Sequence, residues 1–106
     1  MTTTINRFST RKMPSSVEEA QKRLLYVTEE LTKMQQQLLN DVSFSLSVDF
    51  QKGFKELNRQ IMSIKSNAGI LLNDLRTETL QATLQVESNA VVLSQTLENF
   101  LNRYKA

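Results

Sequence analysis

The chain reads as an all-α protein: an antiparallel helical bundle or coiled coil of two or three long amphipathic helices. Two observations predict this. The 106 residues include only 2 glycines and 1 proline, too few for the many turns of a β-sandwich or an α/β fold. Apolar residues recur at alternating steps of three and four through most of the chain, which is the period of a helix face. The residues between them are mainly Glu, Gln, Lys and Arg, all good helix formers.

Residues 1–14, MTTTINRFSTRKMP, differ from the rest and read as a basic, flexible N-terminal arm ahead of a bundle domain over 15–106. The arm carries Arg7, Arg11 and Lys12, and no acid precedes Glu18. Those three cations are the candidate anion-binding residues, for an acidic partner, nucleic acid or an anionic surface. The same Arg-rich, Ser/Thr-rich, acid-free composition also fits an organelle-targeting peptide, which stands as the alternative to a cytoplasmic protein.

Pro14 closes the arm, and a helix is expected over about 15–42. Ser15 with Glu18, and Ser16 with Glu19, both fit the capping box, in which the Ser and Glu side chains satisfy free N–H groups reciprocally. Early acids also suit the positive end of the helix dipole. From there Val17, Ala20, Leu24, Val27, Leu31, Met34 and Leu38 form an a/d seam, widened by Leu25 and Leu39.

The next stretch, SFSLSVDF at 43–50, has the period of a strand, with Phe44, Leu46, Val48 and Phe50 at alternate positions. Its serines compete for backbone hydrogen bonds and weaken a helix, while Ser47 or Asp49 suits an N-cap. It is expected to be a connector whose apolar residues tuck over the end of the bundle. A lone strand here would have no partner within the chain. If the stretch stays extended it is a docking edge, which makes Phe44 and Val48 candidate partner-binding residues.

Beyond it, Phe54, Leu57, Ile61, Ile64, Ala68, Leu71 and Leu75 continue the three/four series. Thr79, Ala82, Val86, Ala90, Leu93, Leu97, Phe100 and Tyr104 extend it in unbroken phase. Two arrangements remain open: one helix over about 50–105, roughly 80 Å long at 1.5 Å per residue, or a helix pair divided near NDLRTET at 73–79. Asn73, Asp74 and Thr77 are the turn and capping candidates there. Leu80, Leu84 and Val91 fall nearly opposite this stripe and are read as a partner or self-association surface.

Little in the chain is catalytic. Without Cys or His it lacks disulfides, thiolate chemistry and the commonest general base and metal ligand. Its acids lie mostly on polar helix faces, with no Glu-x-x-His pair and no glycine-rich phosphate loop. No catalytic, cofactor-binding or metal-binding residue is therefore assigned. Phe54, Phe100 and Tyr104 are explained by core packing, which leaves Phe8 as the exposed aromatic beside basic residues. Asn89 is expected at the edge of the seam. Gly69 either permits close helix approach or only weakens its helix.

The functional expectation is a non-catalytic helical protein–protein interaction module, acting as a homo-oligomer or as a scaffold or adaptor subunit of a larger assembly. The alternative is nucleic-acid or anionic-surface binding through the basic arm. No apolar run approaches the roughly 20 residues of a membrane span.

Overall fold

Three helices, α1 (Val17–Asn40), α2 (Val48–Leu72) and α3 (Thr77–Arg103), form the computed structural model, which describes residues 12–105. Each helix packs on both others, as the all-α bundle reading requires. Helices of 24, 25 and 27 residues are roughly 36–40 Å long at 1.5 Å per residue. That length matches the longest dimension of the molecule, 46 × 28 × 17 Å. The short connections 41–47 and 73–76 reverse the chain twice, so adjacent helices run antiparallel and α1 parallel to α3.

The start of α1 follows its caps. Ser16, extended at φ −153°, accepts a hydrogen bond from the backbone N–H of Glu19 at 3.1 Å. The Glu19 carboxylate in turn accepts from the Ser15 N–H at 3.3 Å and hydroxyl at 2.7 Å. These bonds, joined by Arg23, hold the Glu19 carboxyl below the usual carboxylate range. Val17 is half-buried, and Leu25 and Leu39, expected to widen the stripe, are exposed. From Ala20 onward the expected seam is the observed one: Ala20, Leu24, Val27, Leu31, Met34 and Leu38 are fully buried. Each large side chain among them contributes roughly 1.5–3 kcal/mol relative to exposure.

The connector is shorter and earlier than expected. Ser47 caps α2 by accepting from the Phe50 N–H at 3.1 Å, so Val48, Asp49 and Phe50 belong to the helix. α2 buries Phe50, Leu57, Ile61 and Ala68 against the other helices.

A break, not one long helix, follows α2. The Asn73 N–H bonds back to the carbonyls of Gly69 at 3.1 Å and Ile70 at 3.2 Å, and the chain turns over 73–76. Thr79 then fixes the start of α3: its hydroxyl accepts from the Arg76 N–H and donates to the Asp74 carbonyl, both at 3.0 Å. No described residue has a positive φ, so this turn needs no glycine.

The buried face of α3 comprises Thr79, Thr83, Val86, Glu87, Ala90, Leu93, Ser94 and Leu97. At 100° per residue its centre lies roughly 40° from the centre of the apolar stripe, displaced toward polar residues. Those residues find partners within the bundle. Thr83 donates to the Thr79 carbonyl at 2.7 Å and Ser94 to the Val91 carbonyl at 2.9 Å. Glu87 meets Arg23 of α1, whose Nε donates to it at 2.9 Å.

Arg23 also reaches the segment before α1, donating to the Lys12 carbonyl at 2.7 Å. Pro14 is fully buried. Residues 12–14, placed in the arm on sequence grounds, thus lie against the bundle.

The close approach considered for Gly69 is found at Gly53. A Cβ at Gly69 would meet nothing within 4 Å, whereas one at Gly53 would lie 2.6 Å from Cε1 of Phe100. Gly53 is the position that permits close approach of α3. Gly69→Ala is expected to stabilise the protein by about 0.5–1 kcal/mol through helix propensity. Gly53→Ala is expected to destabilise it by about 1–2 kcal/mol, because overpacking outweighs the same propensity gain. Urea denaturation of the two variants checks this, and equal shifts of one sign would contradict the assignment.

Candidate functional site: an apolar end beside the connector

The end of the bundle where α1 passes into α2 also holds the end of α3. Here the connector finds the strand partner that the sequence reading denied it. Val42 forms an antiparallel bridge with Lys105, beyond α3. The Ser43 N–H donates to the Tyr104 carbonyl at 2.7 Å, and the Ser43 hydroxyl donates to the Lys105 carbonyl at 2.8 Å. Farther along, the Ser45 hydroxyl accepts from the Ser47 N–H at 3.1 Å. The serines that weaken a helix here instead tie the connector down.

Five aromatic rings gather at this end, with Phe50 at their centre. Its ring centroid lies 5.8 Å from Phe44, 5.7 Å from Phe54, 5.6 Å from Phe100 and 5.1 Å from Tyr104. Phe50 itself is buried. The other apolar residues of the motif are not tucked over the bundle, contrary to expectation. Phe44 is 75%, Leu46 80% and Val48 67% exposed, the most exposed large apolar side chains among the described residues. The reason is geometric: once Ser47 starts the helix, only Phe50 falls on the inward face, and a period of two becomes one of 3.6. Leu39, near the end of α1, is 61% exposed.

Between these elements lies an open groove of about 390 Å³. Its walls are mainly Leu39, Val42, Phe44, Phe50 and Phe54, with the exposed side chains of Gln51 and Lys55. A second groove, of about 320 Å³ between α2 and α3, is lined by Asp49, Glu56, Gln60, Asn99 and Arg103 among others, and is more polar. Comparisons with protein families, with curated proteins and with solved structures give no match. The site is therefore judged on its own chemistry.

That chemistry is apolar contact. Among the described residues no group of three His, Cys, Asp or Glu side chains is placed to hold a metal ion. No helix among them is long and apolar enough to cross a membrane.

The candidate residues separate. Phe44 and Val48 stand exposed at the apolar end, Phe44 as a wall of the groove. Leu80, Leu84 and Val91 are half-buried along α3, and Val91 packs against the core. Because the buried face of α3 is rotated toward them, they flank it and do not oppose it. Arg7, Arg11 and Phe8 lie outside the described residues. Lys12 is exposed, with its carbonyl held by Arg23. The sequence reading missed Leu46 and Val42 as members of the site, although Leu46 shares the alternation of Phe44 and Val48. Asn89 is exposed and accepts from the Gln85 amide at 3.1 Å, in keeping with a seam-edge position.

Proposed function

We propose that this chain is a non-catalytic protein–protein interaction module, an adaptor or small assembly subunit, that binds through the apolar end around the 41–47 connector. The observation that carries the reading is the outward display of Phe44, Leu46 and Val48 beside the groove. Each Å² of apolar surface left in water forgoes roughly 25 cal/mol of stabilisation. Contiguous exposed apolar groups on small proteins mark sites where a partner removes them from water.

The double variant Phe44→Ser, Leu46→Ser tests it. Both side chains are mostly exposed, so the helical circular dichroism and the thermal midpoint should remain near those of the parent. Tagged full-length chain, expressed in its source cells, should lose the proteins bound to the parent, other copies of itself included. An unchanged bound set in the double variant would place the interaction elsewhere.

A further inference from the structure

The basic arm enters the bundle along a defined line. Lys12 stands four residues before Ser16, the cap of α1, yet its carbonyl accepts at 2.7 Å from Arg23, about two turns into that helix. Pro14, between Lys12 and the cap, is fully buried. The chain therefore doubles back beside α1. Glu87 binds the same guanidinium, which puts this segment on the side of α1 that faces α3. Traced backward from Lys12, the chain points along that side toward Asn40 and Arg103, the last residues of the two helices.

We infer that residues 1–11 dock on the edge shared by α1 and α3, with Arg7 against Glu30 and Glu98. Helix spacing builds this edge. Arg23, Tyr26, Glu30 and Lys33 follow at steps of three and four on α1, as do Glu87, Val91, Ser94 and Glu98 on α3. The Arg23–Glu87 pair sets the two stripes side by side, and the parallel course of the helices keeps them so. Glu30 lies roughly 10 Å beyond Arg23, and Glu98 roughly 16 Å beyond Glu87, at 1.5 Å per residue. Five residues of extended chain, from Lys12 to Arg7, span roughly 17 Å. Arg7 therefore comes within reach of both acids.

Charge selects both the occupant and the face. The edge holds four carboxylates, Glu19, Glu30, Glu87 and Glu98, against two cations, Arg23 and Lys33, a net charge of −2. Residues 1–11 carry Arg7 and Arg11 and no acid, a charge of +2. The apolar end offers the arm no such match, because the charged side chain of its groove is Lys55. Glu30 adds a further reason. Its side chain is 7% exposed, while that of Lys33, which bonds it at 3.0 Å, is 66% exposed. A carboxylate this buried is stabilised by each cation brought to it. An anionic partner of the arm would have to compete with these acids for Arg7.

The chain contains no cysteine, so Asn6→Cys takes a single nitroxide label beside Arg7. In NMR spectra of the labelled full chain at low salt, amide signals around Glu30 and Glu98 should broaden more than those around Lys55 on α2. Arg7→Glu changes no residue of the bundle and should lower the ratio of docked to free arm roughly threefold to fivefold, the worth of a surface ion pair. Glu98→Arg should do the same, and the two together should restore the broadening. In 1 M salt, where the Debye length is about 3 Å, the broadening should weaken. Broadening centred on Lys55, broadening spread evenly over the bundle, or an exchange of charges without recovery would overturn the inference.

Discussion

Replacing Arg23 by methionine is expected to destabilise the bundle by about 3–5 kcal/mol, the cost of breaking a buried ion pair by removing one partner. The guanidinium bridges α1 and α3. Its Nε donates to Glu87 Oε2 at 2.9 Å, and one Nη reaches Glu87 Oε1. The Nη groups also donate to Glu19 at 3.1 Å and to the Lys12 carbonyl at 2.7 Å. The side chains of Arg23 and Glu87 are only 11% and 6% exposed. The paired carboxylate raises the pKa of Arg23 above its ordinary value, with the hydrogen bond to Glu87 as the leading cause.

Methionine fills much of the same space without charge, so the loss reports mainly on Glu87, left buried without its counter-charge. The companion variant Arg23→Met, Glu87→Leu removes that charge and should recover most of the stability, since apolar replacements of a buried pair are often neutral. A domain of this size has roughly 5–15 kcal/mol in all, so the single variant should melt many degrees lower. Thermal and urea denaturation of both variants checks the pair. Equal losses in the single and double variants would show that lost packing, and not an orphaned carboxylate, sets the cost.

The same ion pair marks where sequence reading stops. The α1 seam was legible because Leu24, Leu31 and Leu38 repeat at heptad spacing and all point at the core. The capped start at Ser16 was legible because capping is local. On α3 the buried face includes Thr79, Thr83, Glu87 and Ser94, whose partners are local carbonyls or an arginine 64 residues away. A pattern counted from apolar residues alone therefore misplaced its centre, and Leu80, Leu84 and Val91 seemed to oppose a face that they flank. The turn at 73–76 was legible only as one of two open arrangements, marked by Asn73, Asp74 and Thr77 alone, because it uses ordinary backbone angles and needs neither Gly nor Pro. At the apolar end, Phe44 and Val48 were visible from their alternation. The pairing of Ser43 with Tyr104 and Lys105 was not, because it closes across about 60 residues and depends on where α3 ends.

Phe50→Ala is expected to cost about 3–5 kcal/mol, the range for truncating a buried phenylalanine. It should also release the apolar end before the rest of the bundle. Phe50 is 4% exposed, and its ring is the one that touches all four of the other aromatics gathered there. Such ring pairs are worth about 0.5–1.5 kcal/mol each beyond the area they bury. Its backbone matters as well, because its N–H completes the Ser47 cap of α2. Alanine keeps that bond and favours helix, so the loss isolates the ring. Without it Phe100 and Tyr104 lose the surface that seats the end of α3, and Ser43 loses a fixed acceptor in Tyr104. Hydrogen exchange should therefore quicken at the Ser43 amide in Phe50→Ala far more than at amides around Leu31 or Ile61, which lie farther along the fully buried core. Phe50→Leu, which keeps most of the volume but not the aromatic faces, should fall between parent and alanine in stability. Uniform acceleration across all three helices would mean that Phe50 belongs to one undivided core. Acceleration confined to the connector and the end of α3 would identify it as the pin that holds the apolar end in place.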